Sequence, residues 1–194
     1  MAASPASGVT AAALLRALVA ALDAAGVPFM LTGSLAAAFH GAGRATMDID
    51  VVIDPTAPQL RALVRALAET GVYVSSEAAE QALRDRSVFN VVDTTTGWKV
   101  DLIVRKARAF STTEFERRQS AAYEGCPLWV ATVEDVMVAK LEWAKLGGSA
   151  RQLEDVAALL RVHAARLDRT YLERWVAELG LRAQWDQVRR GERA

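Results

Sequence analysis

Met47-Asp48-Ile49-Asp50-Val51-Val52-Ile53 limits the fold of this chain more than any other segment. Its apolar residues are those of a central strand covered on both faces, and such a strand implies a layered α/β arrangement. The same run holds two acids. At i and i+2 of a strand, Asp48 and Asp50 leave the same face, about 7 Å apart at Cα. Two ionised carboxylates in such a place repel each other and lose hydration, at a cost of several kcal/mol each unless something neutralises them. A bound Mg²⁺ would do so. Asp101 repeats the anomaly in Val100-Asp101-Leu102-Ile103-Val104. If that strand lies beside the first, three carboxylates meet at one edge. The alternative is that these acids sit at strand ends and are simply solvated.

The remaining segments alternate helix and strand and then become wholly helical. A helix from about Thr10 to Ala25 is stopped by Gly26 and Pro28, and a short strand, Pro28 to Thr32, follows. Gly33-Ser34 turns the chain into a helix over Leu35 to His40, and Gly41-Ala42-Gly43-Arg44 leads to the acidic strand. Leu60, Leu63, Val64 and Leu67 give Gln59 to Thr70 a helical period. Val88 to Asp93 and Trp98 to Val104 form a hairpin about Thr94-Thr95-Thr96-Gly97. A charged helix, Thr113 to Ala121, precedes a last strand, Leu128 to Ala131, and four helices complete the chain: 133–146, 152–166, 169–179 and 181–189. The expected class is α/β (α+β): a small mixed sheet flanked by helices over 9–131, with a helical region over 132–194 packed on it. Trp98, Trp129, Trp143, Trp175 and Trp185 are expected to be packing aromatics.

At 194 residues and 52% hydrophobic composition the chain buries a real core. Its 23 basic and 23 acidic residues balance, so overall charge draws it neither to nucleic acid nor to an anionic membrane. A nucleic-acid partner would need a local patch. Arg16 and Asp23 interrupt the apolar run Ala11 to Ala25, and no segment approaches the ~20 apolar residues of a membrane span. The lone Cys126 excludes an intramolecular disulfide and fits a reducing, cytoplasmic compartment as a small buried hydrophobe.

Gly33-Ser34 is the natural complement of the acids. At a strand-to-helix turn, glycine admits a phosphate close to the backbone, serine offers a hydroxyl, and the first helix N–H groups point at the anion. A plain Gly-Ser turn is the alternative. Mg²⁺ takes hard oxygens, keeps waters and shares its shell with substrate phosphates, so acids and turn together describe half a site awaiting a nucleotide. Lys140 falls within the apolar stripe Val133, Val136, Met137, Leu141 and Ala144, where it either snorkels out or meets an anion. On either alternative, Lys140→Met should leave stability almost unchanged. Thr132 and Asp135 form a helix N-cap. Arg44 is either a phosphate contact or a solvated loop residue. His40 and His163 are too few and too far apart for a zinc site, there is no nucleophile elbow, and Gly41-Ala42-Gly43 does not continue into a dinucleotide fingerprint.

Leu31-Thr32-Gly33-Ser34, thirteen residues, then Asp48-Ile49-Asp50-Val51, then Val100-Asp101-Leu102 resembles the signature of the nucleotidyltransferase superfamily related to DNA polymerase beta. Thr132 to Leu141, with its Lys140, followed by Arg151-Gln152-Leu153-Glu154-Asp155-Val156, is similar to the later motifs of the bacterial AbiEii-like and minimal nucleotidyltransferases. That branch often shows a Lys-Asp pair after the arginine, where Leu153-Glu154 stands here. The resemblance covers about Val27 to Leu160. It implies the nucleotidyltransferase fold and Mg²⁺-dependent (or Mn²⁺-dependent) transfer of an NMP from an NTP to an acceptor hydroxyl or phosphate. It makes Asp48, Asp50 and Asp101 the metal-binding and catalytic residues, with Asp101 activating the acceptor. Gly33, Ser34, Arg44 and Lys140 become nucleotide contacts, and Arg151 and Asp155 acceptor or nucleotide contacts. The acceptor implied is a tRNA, a protein or a small molecule, with an antitoxin as partner if the chain is a toxin. The rival is a nucleotide-binding regulator or scaffold that has lost turnover.

Overall fold

The computed structural model describes residues 11–43 and 45–191. Helix α1 (Ala11–Ala24) leads into strand β1 (Phe29–Thr32), helix α2 (Gly33–Phe39) and strand β2 (Asp48–Ile53). Next come α3 (Ala57–Glu69), β3 (Tyr73–Val74), α4 (Ser76–Asp85), β4 (Val88–Val92), β5 (Lys99–Val104), α5 (Ala109–Glu116), β6 (Gln119–Tyr123) and β7 (Cys126–Val130). Helices α6 (Val133–Gly147), α7 (Ala150–His163), α8 (Arg169–Glu178) and α9 (Arg182–Gly191) follow. The strands form one mixed sheet in the order β3-β4-β5-β2-β1-β7-β6. This is the mixed α/β architecture that the segment order requires. None of the described helices is long and apolar enough to cross a membrane.

The acidic strand takes the central place that its composition demands. Ile49, Val51, Val52 and Ile53 of β2 are all buried, and so is every residue of β1, so both faces of the sheet are covered here. Fully burying side chains of this kind contributes about 1.5–3 kcal/mol each. On one flank α1, α3 and α4 touch in series, α1 against β7 and α4 against β4 and β5. Helix α2 packs on β1, β2 and α6, and α6 in turn carries α7, α8 and α9. Histidines tie this second group to the sheet: His40 Nε2 donates to the Ala131 carbonyl at 2.8 Å, and His163 Nε2 to the His40 carbonyl at 2.7 Å.

Three elements depart from the expected pattern. The charged helix ends at Glu116, and 119–123 forms edge strand β6, paired antiparallel with β7 through a turn at Glu124 and Gly125, both at positive φ. A tight hairpin of this kind has no apolar alternation to announce it, because an edge strand is half solvated. Strand β3 and helix α4 are likewise additional to the expected elements. Only Ala79 and Ala82 of α4 are buried, so its stripe is made of alanine rather than leucine. Of the five tryptophans, Trp143 is 58% and Trp129 42% exposed, which corrects their placement as packing aromatics. Helix α6 is surrounded along Val136, Met137, Val138 and Leu141, and Trp143 occupies its remaining outer face.

Thr132 caps α6 as expected, its hydroxyl accepting from the Asp135 N–H and donating to the Asp135 carboxylate. Tyr171 of α8 also donates to Asp135, and Arg117 lies over the Tyr171 ring. Beside this cluster Glu114 of α5 is buried. Burial first, and then the Asp135 charge, push its carboxyl up to about 8, against a hydrogen bond from Ser111 and the charge of Arg108. Between the ordinary value of 4.5 and about 8 the folded protein keeps a proton that the unfolded chain has lost. Stability therefore falls as pH rises through that window and levels off above it. Glu114→Gln has no proton to lose. Its melting temperature is expected to gain on the wild type by several degrees across the window, read from paired thermal melts.

Candidate active site

Gly33 and Asp50 are fitted to each other. Thr32, the last residue of β1, pairs with Asp50 across the sheet, and Gly33 then turns the chain into α2 at φ +64°. A Cβ on Gly33 would lie 1.9 Å from Asp50 Oδ2 and 2.5 Å from its Cγ, so the carboxylate rests directly on the glycine backbone. The Ser34 backbone hydrogen-bonds the same carboxylate. Burial and the nearby Asp101 charge raise the Asp50 pKa, while the Ser34 backbone and the Lys140 charge act in the opposite sense. The Ser34 amide in the first turn of α2, expected to face phosphate, is turned to Asp50 instead.

The substitution Gly33→Ala meets both obstacles, the close carboxylate and the left-handed φ. It should cost about 1–3 kcal/mol from the backbone alone. The loss in thermal melts is expected to be smaller in an Asp50→Ala background, where the nearest obstructing atoms are gone. Equal losses in both backgrounds would mean that the carboxylate does not enforce glycine here.

Strand β5 runs parallel to β2, with Asp50 opposite Asp101 and Asp48 opposite Lys99. Register partners share a face, so Asp48, Asp50, Lys99 and Asp101 all leave the sheet on one side. The expected juxtaposition of the three acids at one edge is thus present at the level of the strands. Their side chains are not drawn into a cage: among the described residues no group of three or more His, Cys, Asp or Glu is arranged to hold a metal. Lys99 stands between them, its Nζ 3.2 Å from Asp101 Oδ1 and 3.6 Å from Asp48 Oδ1. Burial works against the Lys99 charge, but Asp101 and Asp48 outweigh it and raise its pKa. Asn90, opposite Asp101 on β4, donates its side-chain amide to Asp101.

Lys140 is 2% exposed and neither snorkels nor stands open. Its Nζ donates to Asp155 Oδ2 at 2.6 Å and Gln152 Oε1 at 3.1 Å, clamping α6 to α7, and its charge reaches Asp50. With the lysine held in a buried ion pair, its loss is expected to cost stability rather than leave it unchanged. Arg151 is exposed on the first turn of α7, while Asp155 is buried. Arg44 lies outside the described residues.

Lys99, Asn90 and Gln152 were missed. Lys99 was detectable, since it stands two residues before Asp101 and therefore on its face; Asn90 is a polar residue inside Val88-Phe89-Asn90-Val91-Val92. Gln152 has no such signal.

The donor set suits a hard divalent cation: oxygen ligands only, a glycine cradle against Asp50, and an ammonium standing where positive charge is wanted. Three comparisons bear on the chain as a whole. The family model described as "Nucleotidyl transferase AbiEii toxin, Type IV TA system" matches residues 14–190. The chain belongs to the AbiEii nucleotidyltransferase family. Compared with curated proteins, the chain finds no match. Among solved structures it is similar to the antibiotic-resistance factor ANT(2'')-Ia in solution, at TM-score 0.62 and 15% identity over 96% of this chain and 98% of that one. A crystal structure of ANT(2'')-Ia in complex with adenylyl-2''-tobramycin gives TM-score 0.57 at 15% identity, over 89% and 97%. An antigenic nucleotidyltransferase-like protein from Paracoccidioides brasiliensis gives 0.53 at 15% identity, over 90% and 89%. At such identity the likeness establishes the nucleotidyltransferase fold.

Proposed function

We propose that this AbiEii-family chain is a Mg²⁺-dependent (or Mn²⁺-dependent) nucleotidyltransferase, using the β2–β5 face as its active site. The observation that carries this reading is the register of Asp50 with Asp101, beside a glycine that has no room for a side chain. Asp48, Asp50 and Asp101 would hold the metal, which when bound would neutralise charge on the triphosphate and the departing pyrophosphate. Asp101 also takes the proton of the acceptor hydroxyl as its oxygen attacks the α-phosphorus. One O–P bond forms, the bond between the α-phosphorus and the bridging oxygen breaks, and pyrophosphate leaves. Gly33 and Ser34 flank the outer phosphates. Lys140 lends positive charge from behind Asp50, and Asp155 keeps that lysine in place. Arg44 and Arg151 are assigned to nucleotide or acceptor contacts. The α/β domain over 9–131 carries the chemistry, and the helical region over 132–194 selects the acceptor.

The family's type IV toxin membership supports a cytoplasmic toxin with a tRNA or protein acceptor and an antitoxin partner. A second reading, nucleotide binding without turnover, draws on Lys99 lying between the acids. Incubating the protein with each α-labelled NTP, Mg²⁺ and a cell extract separates the two. Label in a macromolecule or metabolite identifies the acceptor. Nucleotide binding with no labelled product under any NTP would reduce the protein to a binding module.

A further inference from the structure

Lys99 and Asp48 are register partners on adjacent parallel strands, and Lys99 and Asp101 are two residues apart on one strand. All three side chains therefore emerge on the same face. The Lys99 ammonium lies 3.2 Å from each Asp101 carboxylate oxygen and 3.6 Å from Asp48 Oδ1. It sits between the two acids and supplies the positive charge that their juxtaposition calls for. The arrangement is also open: the side chain of Lys99 is 40% exposed and that of Asp48 53%.

We propose that Lys99 is the resident counter-cation of the acidic site, displaced when a divalent ion enters and then available to the triphosphate that arrives with it. This rests on the reading of Asp48, Asp50 and Asp101 as metal ligands. An ammonium and a divalent ion cannot both remain against the same two carboxylates, because their charges repel and the oxygens are shared. Metal alone must evict Lys99 with nothing to receive it. Metal accompanied by a triphosphate brings an anion, and the flexible, half-exposed stem lets the ammonium turn to it. The consequence is coupling: each ligand strengthens the other through Lys99. The acids are thereby partly neutralised without committing the site to free metal.

The test is calorimetric titration of Mn²⁺ into wild type, Lys99→Met and Lys99→Arg, with and without an α,β-methylene NTP. Lys99→Met should bind Mn²⁺ alone about tenfold tighter than wild type, and the tightening by nucleotide should shrink by a similar factor. Lys99→Arg retains the charge and should stay near wild type. If Lys99→Met binds Mn²⁺ alone no tighter than wild type, or if no variant binds it, the proposal is wrong. Failure of the underlying site reading is separate: it would appear as Asp50→Asn and Asp101→Asn binding Mn²⁺ as well as wild type does.

Discussion

Lys140→Met is expected to lower the melting temperature by roughly 10 °C. The ammonium is buried against Asp155 at 2.6 Å, with Gln152 completing the clamp between α6 and α7. Removing one member of a buried ion pair leaves the other charge uncompensated, which costs about 3–5 kcal/mol. In a chain of this size each kcal/mol moves the midpoint by about 2–4 °C. The cost should be mutual. Asp155→Leu alone strands the lysine, whereas Lys140→Met with Asp155→Leu replaces the pair by apolar groups and should recover most of the loss. Thermal melts of the two single variants and the double close the cycle. A double variant as unstable as the sum of the singles would mean that the pair is not the source of the effect.

Asp50→Asn should act in the opposite sense on stability and sharply reduce transfer. Burial and the Asp101 charge hold the Asp50 pKa above its usual value, so at neutral pH an ionised carboxylate there is a strained group. The folded protein binds its proton more tightly than the unfolded chain does. The charge therefore costs stability as pH rises above the ordinary carboxylate value. Asparagine keeps an oxygen for the Ser34 backbone and discards the charge. Metal-free melts at neutral pH should rise by a few degrees, and the advantage should vanish below about pH 3. Transfer should fall by roughly a thousandfold, the scale of losing several kcal/mol of metal-assisted stabilisation. An unfolded Asp50→Asn protein would make the acid a structural hydrogen-bonding group.

Much of this arrangement was legible in the sequence because period and polarity conflicted. Asp48 and Asp50 interrupt a strand that must be buried, and Asp101 does the same in its neighbour. Strand parity alone then puts each on a predictable face. Gly33 was legible as a turn, though not as the residue that leaves room for Asp50, because that contact spans the sheet. Lys140 was legible as an anomaly and misjudged in kind. A lysine in an apolar stripe meets its anion on another helix, and Asp155 declares itself only once α6 and α7 pack. The edge strand β6 and the alanine-faced α4 were lost for a plainer reason. Short, half-solvated segments bury too little apolar surface to leave a period. Lys99 was within reach, since the i, i+2 rule that paired Asp48 with Asp50 applies equally to Lys99 and Asp101.

The central claim is that the face carrying Asp48, Asp50 and Asp101 moves a nucleoside monophosphate and releases pyrophosphate. The measurement that meets it most directly follows two labels of one NTP, at the α- and at the γ-phosphate, through reaction with the acceptor in wild type and Asp101→Asn. The α label should enter the acceptor, the γ label should leave in pyrophosphate in equal amount, and Asp101→Asn should do neither while still binding nucleotide. Transfer of the γ label, or α transfer undiminished in Asp101→Asn, would contradict the account.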